Sequence, residues 1–245
     1  MEYYTAAIVL SKSDVKEYDR FFSLYTKNLG KISVLARGVR RLQSKMAGHL
    51  EPFGVVVAKI VLGNKSARLS NIETIERYQN IIKDLDSLRL AKKCLTVINN
   101  LVKEGSCDLG IFELLSSILS NLDDRDRLVW EKEFLFSVFI LKLLVHLGYR
   151  PELCNCVICK NRVMPEDNIF DFLRGGLVCG DCKKAVGLGG SGQFAVSSNE
   201  IKVLRLMLEK DLEFFSKNKI NKKLADFTGN LVKGFARVVG EVDFL

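Results

Sequence analysis

Residues 148–182 read GYRPELCNCVICKNRVMPEDNIFDFLRGGLVCGDC, and this stretch decides how the rest of the chain divides. It holds two CxxC pairs, Cys156-Val-Ile-Cys159 and Cys179-Gly-Asp-Cys182, with 19 residues between them. Two such pairs can place four thiolates about 2.3 Å from one tetrahedral ion, and Zn2+ is the ion that shell suits best. Gly175, Gly176 and Gly180 leave room for the tight backbone that the second pair needs. Four sulfurs fill the shell and leave no position for substrate, so one structural zinc per chain is expected. Cys154 complicates the choice, since Cys154/Cys156 or Cys154/Cys159 are also conceivable ligands. The symmetry of the two pairs favours 156 and 159. Cys94 and Cys107 fall in helical patterns and are expected to be small core residues. Seven cysteines, an odd number with five of them in 154–182, favour metal over disulfides, given an N-terminus without a basic, cleavable leader.

Working outward, Leu128 to Leu147 is apolar nearly all round, as expected of the central helix of a bundle; Gly148 stops it and Pro151 prevents its resumption. Upstream, Ile81, Ile82, Leu85, Leu88, Leu90, Cys94, Leu95 and Ile98 recur every three or four positions, and Asp108 can cap a short helix through Leu122. Downstream, Ser198 or Asn199 can cap a helix carrying Ile201, Leu204, Leu208 and Leu212, and a last helix runs from about Asn221 to Val239. The cysteine segment is therefore an insertion between helices of one bundle.

Residues 1 to 78 have a different period. Tyr3–Leu10, Arg20–Thr26, Lys31–Ala36, Phe53–Leu62 and Ala67–Ile75 read as five short strands separated by turn signals such as Lys27-Asn28-Leu29-Gly30. A small barrel of the OB type has this strand count and length. The expected fold is thus α+β: a five-stranded OB-fold barrel over 1–78, then an α-helical domain over 79–150 and 193–245, interrupted by a four-cysteine zinc finger over 151–192.

Charge points to the partner. Lys plus Arg is 37 and Asp plus Glu is 29, a net +8, and residues 1–80 alone hold 13 basic and 7 acidic groups. From Arg20 to Leu50 there are seven basic residues and no acidic one. Like charges gathered without counter-charges repel unless phosphates neutralise them, so the loop Gly38-Val-Arg-Arg-Leu-Gln-Ser-Lys-Met-Ala-Gly48 reads as a nucleic-acid contact. Arg37, Arg40, Arg41 and Lys45 are the candidate DNA-binding residues, with Lys31 on the strand before them. The nearby aromatics Tyr18, Phe21, Phe22, Tyr25 and Phe53 read as core side chains rather than stacking platforms, because Phe21, Phe22 and Phe53 sit in strand patterns.

Catalysis finds little support. There is no GxxxxGK[ST] and no GxSxG, and the one acidic cluster, Asp123-Asp124-Arg125-Asp126, reads as a capping loop. Gly187-Leu-Gly-Gly-Ser-Gly192 resembles a nucleotide loop but lacks a lysine, and reads as a connector. Of the two histidines, His146 is expected in the core and His49 is at most a weak phosphate contact. The longest apolar run, Phe134–Leu141, is too short to span a bilayer, so a cytoplasmic protein without a membrane partner is expected. A zinc-stabilised interaction scaffold and a zinc-ribbon nucleic-acid-processing enzyme are the rival readings.

The order of motifs resembles the bacterial recombination-mediator family RecO nearly end to end. The resemblance rests on Ile8-Val-Leu10, Glu17-Tyr-Asp-Arg20, Gly30-Lys31, Ala36-Arg-Gly-Val-Arg-Arg41, Ser44 and Leu50-Glu-Pro-Phe53. It rests more specifically on Gly148-Tyr-Arg-Pro151-Glu-Leu153, the CxxC at 156 and Gly175-Gly-Leu-Val-Cys179. Cys154 departs from that pattern. The resemblance implies a non-enzymatic, nucleoid-associated protein of DNA repair that binds single- and double-stranded DNA and anneals complementary strands. It further implies action with RecR, and often RecF, in loading RecA onto strands covered by single-strand-binding protein.

Overall fold

The structure, a computed structural model, describes residues 1–63, 66–164, 167–185 and 192–240. By its internal contacts the chain forms two compact units, Met1–Asp126 and Arg127–Leu245. No helix among the described residues is long and apolar enough to cross a membrane.

The first unit is built on strands β1 (Glu2–Asp14), β2 (Arg20–Thr26), β3 (Gly30–Ala36), β4 (Gly54–Leu62) and β5 (Ala67–Arg77). They close into a barrel in the order β1-β2-β3-β5-β4, with β4 returning to β1. This is the expected OB-fold. Closure needs β1 to serve two neighbours: Glu2–Ile8 pairs with β4, and Ala7–Asp14 pairs with β2. A register shift between Val9 and Ser11 bends the strand at the changeover. The last seam is a short parallel one, Val34 with Ala67 and Leu35 with Arg68. Alternation fills the barrel: Ala7, Val9, Phe22, Leu24, Val34, Ala36, Val56, Ala58, Ile60 and Ile72 point inward. Gly30 ends the β2–β3 turn at φ +63°, and a Cβ there would meet Ser106 O at 2.0 Å, so only glycine fits.

Two helices belong to the same unit, α1 (Leu85–Leu101) and α2 (Leu109–Leu122), with a 3-10 turn before them at Ile81–Lys83. Asp84 caps α1 by accepting from Ser87 N (3.0 Å), and Asp108 caps α2 as its sequence position suggested, accepting from Gly110 N (2.8 Å). The last strand of the barrel ends at Arg77, and the division by contacts falls at 126/127.

In the second unit α3 (Val129–His146) packs on α5 (Ser198–Glu209), α6 (Leu212–Lys217) and α7 (Lys222–Gly240). Between α3 and α5 lie β6 (Asn168–Asp171), β7 (Gly176–Val178), the one-and-a-half-turn α4 (Gly180–Ala185) and β8 (Gln193–Val196), with sheet order β7-β6-β8. A chain of rings ties this sheet to the bundle. Phe194 meets Phe227 of α7 at 4.9 Å between centroids, Phe170 meets Phe235 at 5.5 Å, and Phe172 joins them through Phe170 at 5.6 Å and Phe194 at 6.2 Å. Gly234 lets α7 approach, since a Cβ there would lie 2.6 Å from Phe172 Cζ.

Several expectations need correction. The three strands of the insertion were not foreseen, because each is only three or four residues long. Ser197, not Ser198 or Asn199, caps α5, forming a capping box with Glu200. Leu212 starts α6 instead of ending α5, because Lys210 is extended and Asp211 accepts from Phe214 N (2.8 Å) to open a new helix. His146 is exposed on the last turn of α3 rather than in the core, and Cys107 is exposed in the α1–α2 loop, its thiol directed at Lys27 O (3.6 Å). Cys94 is fully buried as expected, and burial pushes its thiol well above the ordinary range. The Gly187–Gly192 loop lies outside the described residues except for Gly192.

Candidate metal centre and nucleic-acid groove

The insertion brings the two CxxC pairs together through β7. Glu152 lies beside β7, giving its N–H to Gly175 O (3.0 Å) and accepting from Leu177 N (2.9 Å). Val157 N then donates to Leu177 O (2.9 Å), which seats the first knuckle against the strand that leads into Cys179. Gly176 makes this possible, since a Cβ would meet Glu152 O at 2.6 Å. The knuckle itself is a tight turn: Cys156 N donates to Asn161 O (2.8 Å), Val163 N to Cys154 O (3.0 Å), and Lys160 takes φ +64°. The Glu152 carboxylate accepts from Asn155 N (2.9 Å) and Cys154 N (2.7 Å), and these bonds hold it below the usual carboxylate range.

The sulfurs of Cys156, Cys159, Cys179 and Cys182 all lie within 4.8 Å of one another. Cys159 and Cys179 are 3.8 Å apart, too far for a disulfide at about 2.05 Å. A tetrahedron of Zn–S bonds near 2.3 Å has edges of about 3.8 Å. The donor set therefore fits a tetrahedral thiophilic ion. Burial alone would push the Cys156 thiol up, but the N–H groups of Cys179, Cys159 and Ile158 bring it down to about 6. Burial and the sulfurs of Cys159, Cys179 and Cys156 push Cys182 to about 12. Cys156 thus forms its thiolate easily while Cys182 resists doing so beside the other sulfurs, as crowded like charges require unless a cation sits among them. Cys154 is exposed and stands outside the cluster.

The second candidate site is in the other unit. Phe21 and Leu35 are cross-strand neighbours whose side chains lie on the outer face of β2–β3, where an OB-fold binds oligonucleotides. They floor a groove of about 560 Å3. Its rim is Val15, Lys16 and Asp19 from the β1–β2 turn, and Arg37, Gly38 and Arg41 from the loop after β3. The two rims are laced together: Gly38 N donates to Asp19 Oδ1 (2.8 Å) and Arg40 N to Tyr18 O (3.1 Å). The Arg41 guanidinium lies 5.3 Å from the centre of the Tyr18 ring, a cation–π pair that holds it beside the groove.

The sequence candidates separate into groups. Arg37 and Arg41 line the groove, and Lys45 is exposed further along the same loop. Arg40 is exposed but reaches Asp14 at 3.3 Å, a carboxylate already held by Arg20 Nε. Lys31 departs from the set. Its ammonium donates to Asn99 O and to Val102 O (2.9 Å), neutralising carbonyls at the C-terminus of α1, so it is occupied inside the unit. His49 turns Nδ1 to the Thr74 N–H (3.2 Å) and pins the loop to β5. Among the aromatics, Phe22, Tyr25 and Phe53 are core as expected, whereas Phe21 is half-exposed and Tyr18 is 43% exposed. Lys16 and Asp19 were missed altogether. The alternation of β2 carried the signal for Phe21: with Phe22 and Leu24 inward, Phe21 must face out.

The chain matches the profile described as Recombination protein O N terminal over residues 1–78, and that described as Recombination protein O C terminal over residues 82–235. It is similar to the DNA repair protein RecO of Dehalococcoides mccartyi, 31% identical over 223 residues that cover 91% of this chain and 85% of the relative. The protein of that name from Roseiflexus sp. is 28% identical over 241 residues, 98% of this chain and 82% of its own. That from Thermoanaerobacter sp. is 33% identical over 183 residues, 73% and 70% respectively.

Proposed function

Because this chain belongs to the recombination protein O family and so has a role in DNA repair and recombination, we propose that it acts as a non-enzymatic, DNA-binding recombination mediator in the cytoplasm, at the nucleoid. The observation that carries the reading is the groove on the outer face of β2–β3, an apolar floor between Lys16, Arg37 and Arg41. Phosphates neutralised by these cations release counterions, which gives affinity with little sequence information. Tyr18 and Phe21 offer ring faces to unstacked bases of a single strand. Duplex DNA meets the same cations through its backbones. Strands held chiefly by their phosphates keep the pairing edges of most of their bases free, so two complementary strands bound together anneal.

The metal is Zn2+, held by Cys156, Cys159, Cys179 and Cys182. When bound it cross-links two knuckles and supplies folding free energy to the insertion. With its shell filled by sulfur it activates no water, which is why no hydrolytic role is assigned. RecR, and often RecF, are its partners in placing RecA on strands covered by single-strand-binding protein, as the family implies.

The test is to incubate the pure, zinc-replete protein with labelled complementary strands and magnesium. Stoichiometric annealing without cleavage supports the mediator. Reproducible, catalytic cleavage would make it a nucleic-acid-processing enzyme, and neither annealing nor binding would leave a protein-interaction scaffold.

A further inference from the structure

Asp19 is out of place in a groove that binds phosphate. It lies on the same rim as Lys16 and faces the rim that carries Arg37 and Arg41, where a carboxylate weakens the attraction for a polyanion. It is not there to pair with these cations: among the described residues no ion pair joins it to any of the three. One oxygen, Oδ1, accepts from Gly38 N at 2.8 Å. Its backbone carbonyl closes the β1–β2 turn by accepting from Val15 N at 3.2 Å. The other carboxylate oxygen has no partner among the described residues. The floor beneath it is apolar, made by Phe21 and Leu35, and suits the face of a base rather than a phosphate.

We infer that the groove seats one unstacked base of a single strand, and that Asp19 selects bases carrying an exocyclic amino group by accepting a hydrogen bond from it. The inference rests on the DNA-binding reading and specifies what occupies the site. A carboxylate is acceptor-only at neutral pH, so it needs an N–H opposite it. Cytosine, adenine and guanine present an amino group at an edge. Thymine has a single N–H flanked by two carbonyl oxygens, which the carboxylate repels. Lys16, Arg37 and Arg41 would take the flanking phosphates, so the sugar–phosphate chain tracks the rims while the base lies across Phe21.

The experiment is equilibrium binding of labelled oligo-dC and oligo-dT of equal length to the full chain at low salt, for the wild type and Asp19→Asn. The amide of this variant keeps an oxygen for Gly38 N, so the turn is preserved while the charge is lost. For the wild type, dC is expected to bind roughly tenfold more tightly than dT, the ratio that one charge-assisted hydrogen bond of about 1.4 kcal/mol gives. In Asp19→Asn the dC/dT ratio is expected to collapse toward one while the affinity for dT rises, because a negative charge has left a cationic groove. If Asp19 only shapes the turn, both affinities rise together and the ratio is unchanged, which overturns the inference. A wild-type ratio near one overturns it without any variant and leaves the DNA-binding reading standing. Failure of both oligomers to bind at low salt overturns the two together.

Discussion

Replacing Cys156 by Ser should release the metal and unfold only part of the second unit. Cys156 is the buried member of the four, and its sulfur also accepts from Cys179 N at 3.4 Å, so its loss touches both knuckles. Structural zinc sites contribute about 10–16 kcal/mol. One ligand in four is then worth about 3 kcal/mol, a weakening of roughly a hundredfold in zinc affinity. Besides the metal, the first knuckle is held by three hydrogen bonds within its turn, the Glu152 carboxylate, the bond from Val157 N to Leu177 O and the Arg205 guanidinium on Leu153 O. The sheet behind it is secured differently, by the buried cross-strand pairs Ile169–Val178 and Phe170–Leu177 and by the rings that reach α7. Metal analysis should give one zinc per wild-type chain and a weakly held or absent zinc in Cys156→Ser. Hydrogen exchange should show amides 154–163 losing protection while β6 and α3 keep theirs. Cys154→Ser should retain the zinc. Full zinc occupancy in Cys156→Ser under competition by a chelator, or loss of zinc in Cys154→Ser, would refute the ligand assignment. Uniform loss of protection across the unit would refute the claim that the rings anchor the sheet.

Two further outcomes follow from the first unit. Burial pushes the Tyr25 and Tyr78 hydroxyls up to about 12, so the folded state favours their neutral forms. The stability they contribute is complete below the ordinary tyrosine value near 10 and is lost as pH rises toward 12. Absorbance titration should find these two of the six tyrosines ionising late, and Tyr25→Phe should shift the alkaline unfolding midpoint; six tyrosines titrating together near 10 would contradict the packing. Asp14→Asn should free Arg40 for phosphate and strengthen DNA binding, with the salt slope steepening by up to about 0.7 for single strands. A weakened complex would mean that Asp14 aims Arg40 rather than competing for it.

Much of this architecture was legible in the sequence because its signals are local. The longer strands announced themselves by alternation or by runs of branched and aromatic residues, Asp108 by its capping position, and the four-cysteine cluster by two CxxC pairs. What was not legible depends on which side of an element meets another. Lys31 looked like its basic neighbours, but nothing local shows that α1 ends where its ammonium can reach two carbonyls. His146 sits in an apolar helix yet at a position that leaves the core. Lys16 and Asp19 were missed because a groove is made by two loops, and it is the antiparallel pairing of β1 and β3 on either side of β2 that brings the β1–β2 turn beside the loop after β3. The strands of the insertion are too short for a period to show, and the approach of Glu152 to β7 depends on a single glycine, Gly176.

The most direct test of the groove is the salt dependence of single-strand binding by the wild type and by Arg37→Ala/Arg41→Ala, with folding checked by thermal melting. Both arginines are exposed on the loop and line the groove, so the melting temperature should hold. At about 0.7 per phosphate contact, the double variant should lose about 1.4 units of the slope of log K against log salt, and should weaken on all sequences alike. Arg40→Ala alone should change the slope less than either of them, since Asp14 already holds part of its charge. An Arg37→Ala/Arg41→Ala protein that binds with unchanged affinity and unchanged slope would contradict the account, and would move the site to the basic residues of the C-terminal helices, Lys217, Lys219, Lys222 and Lys223.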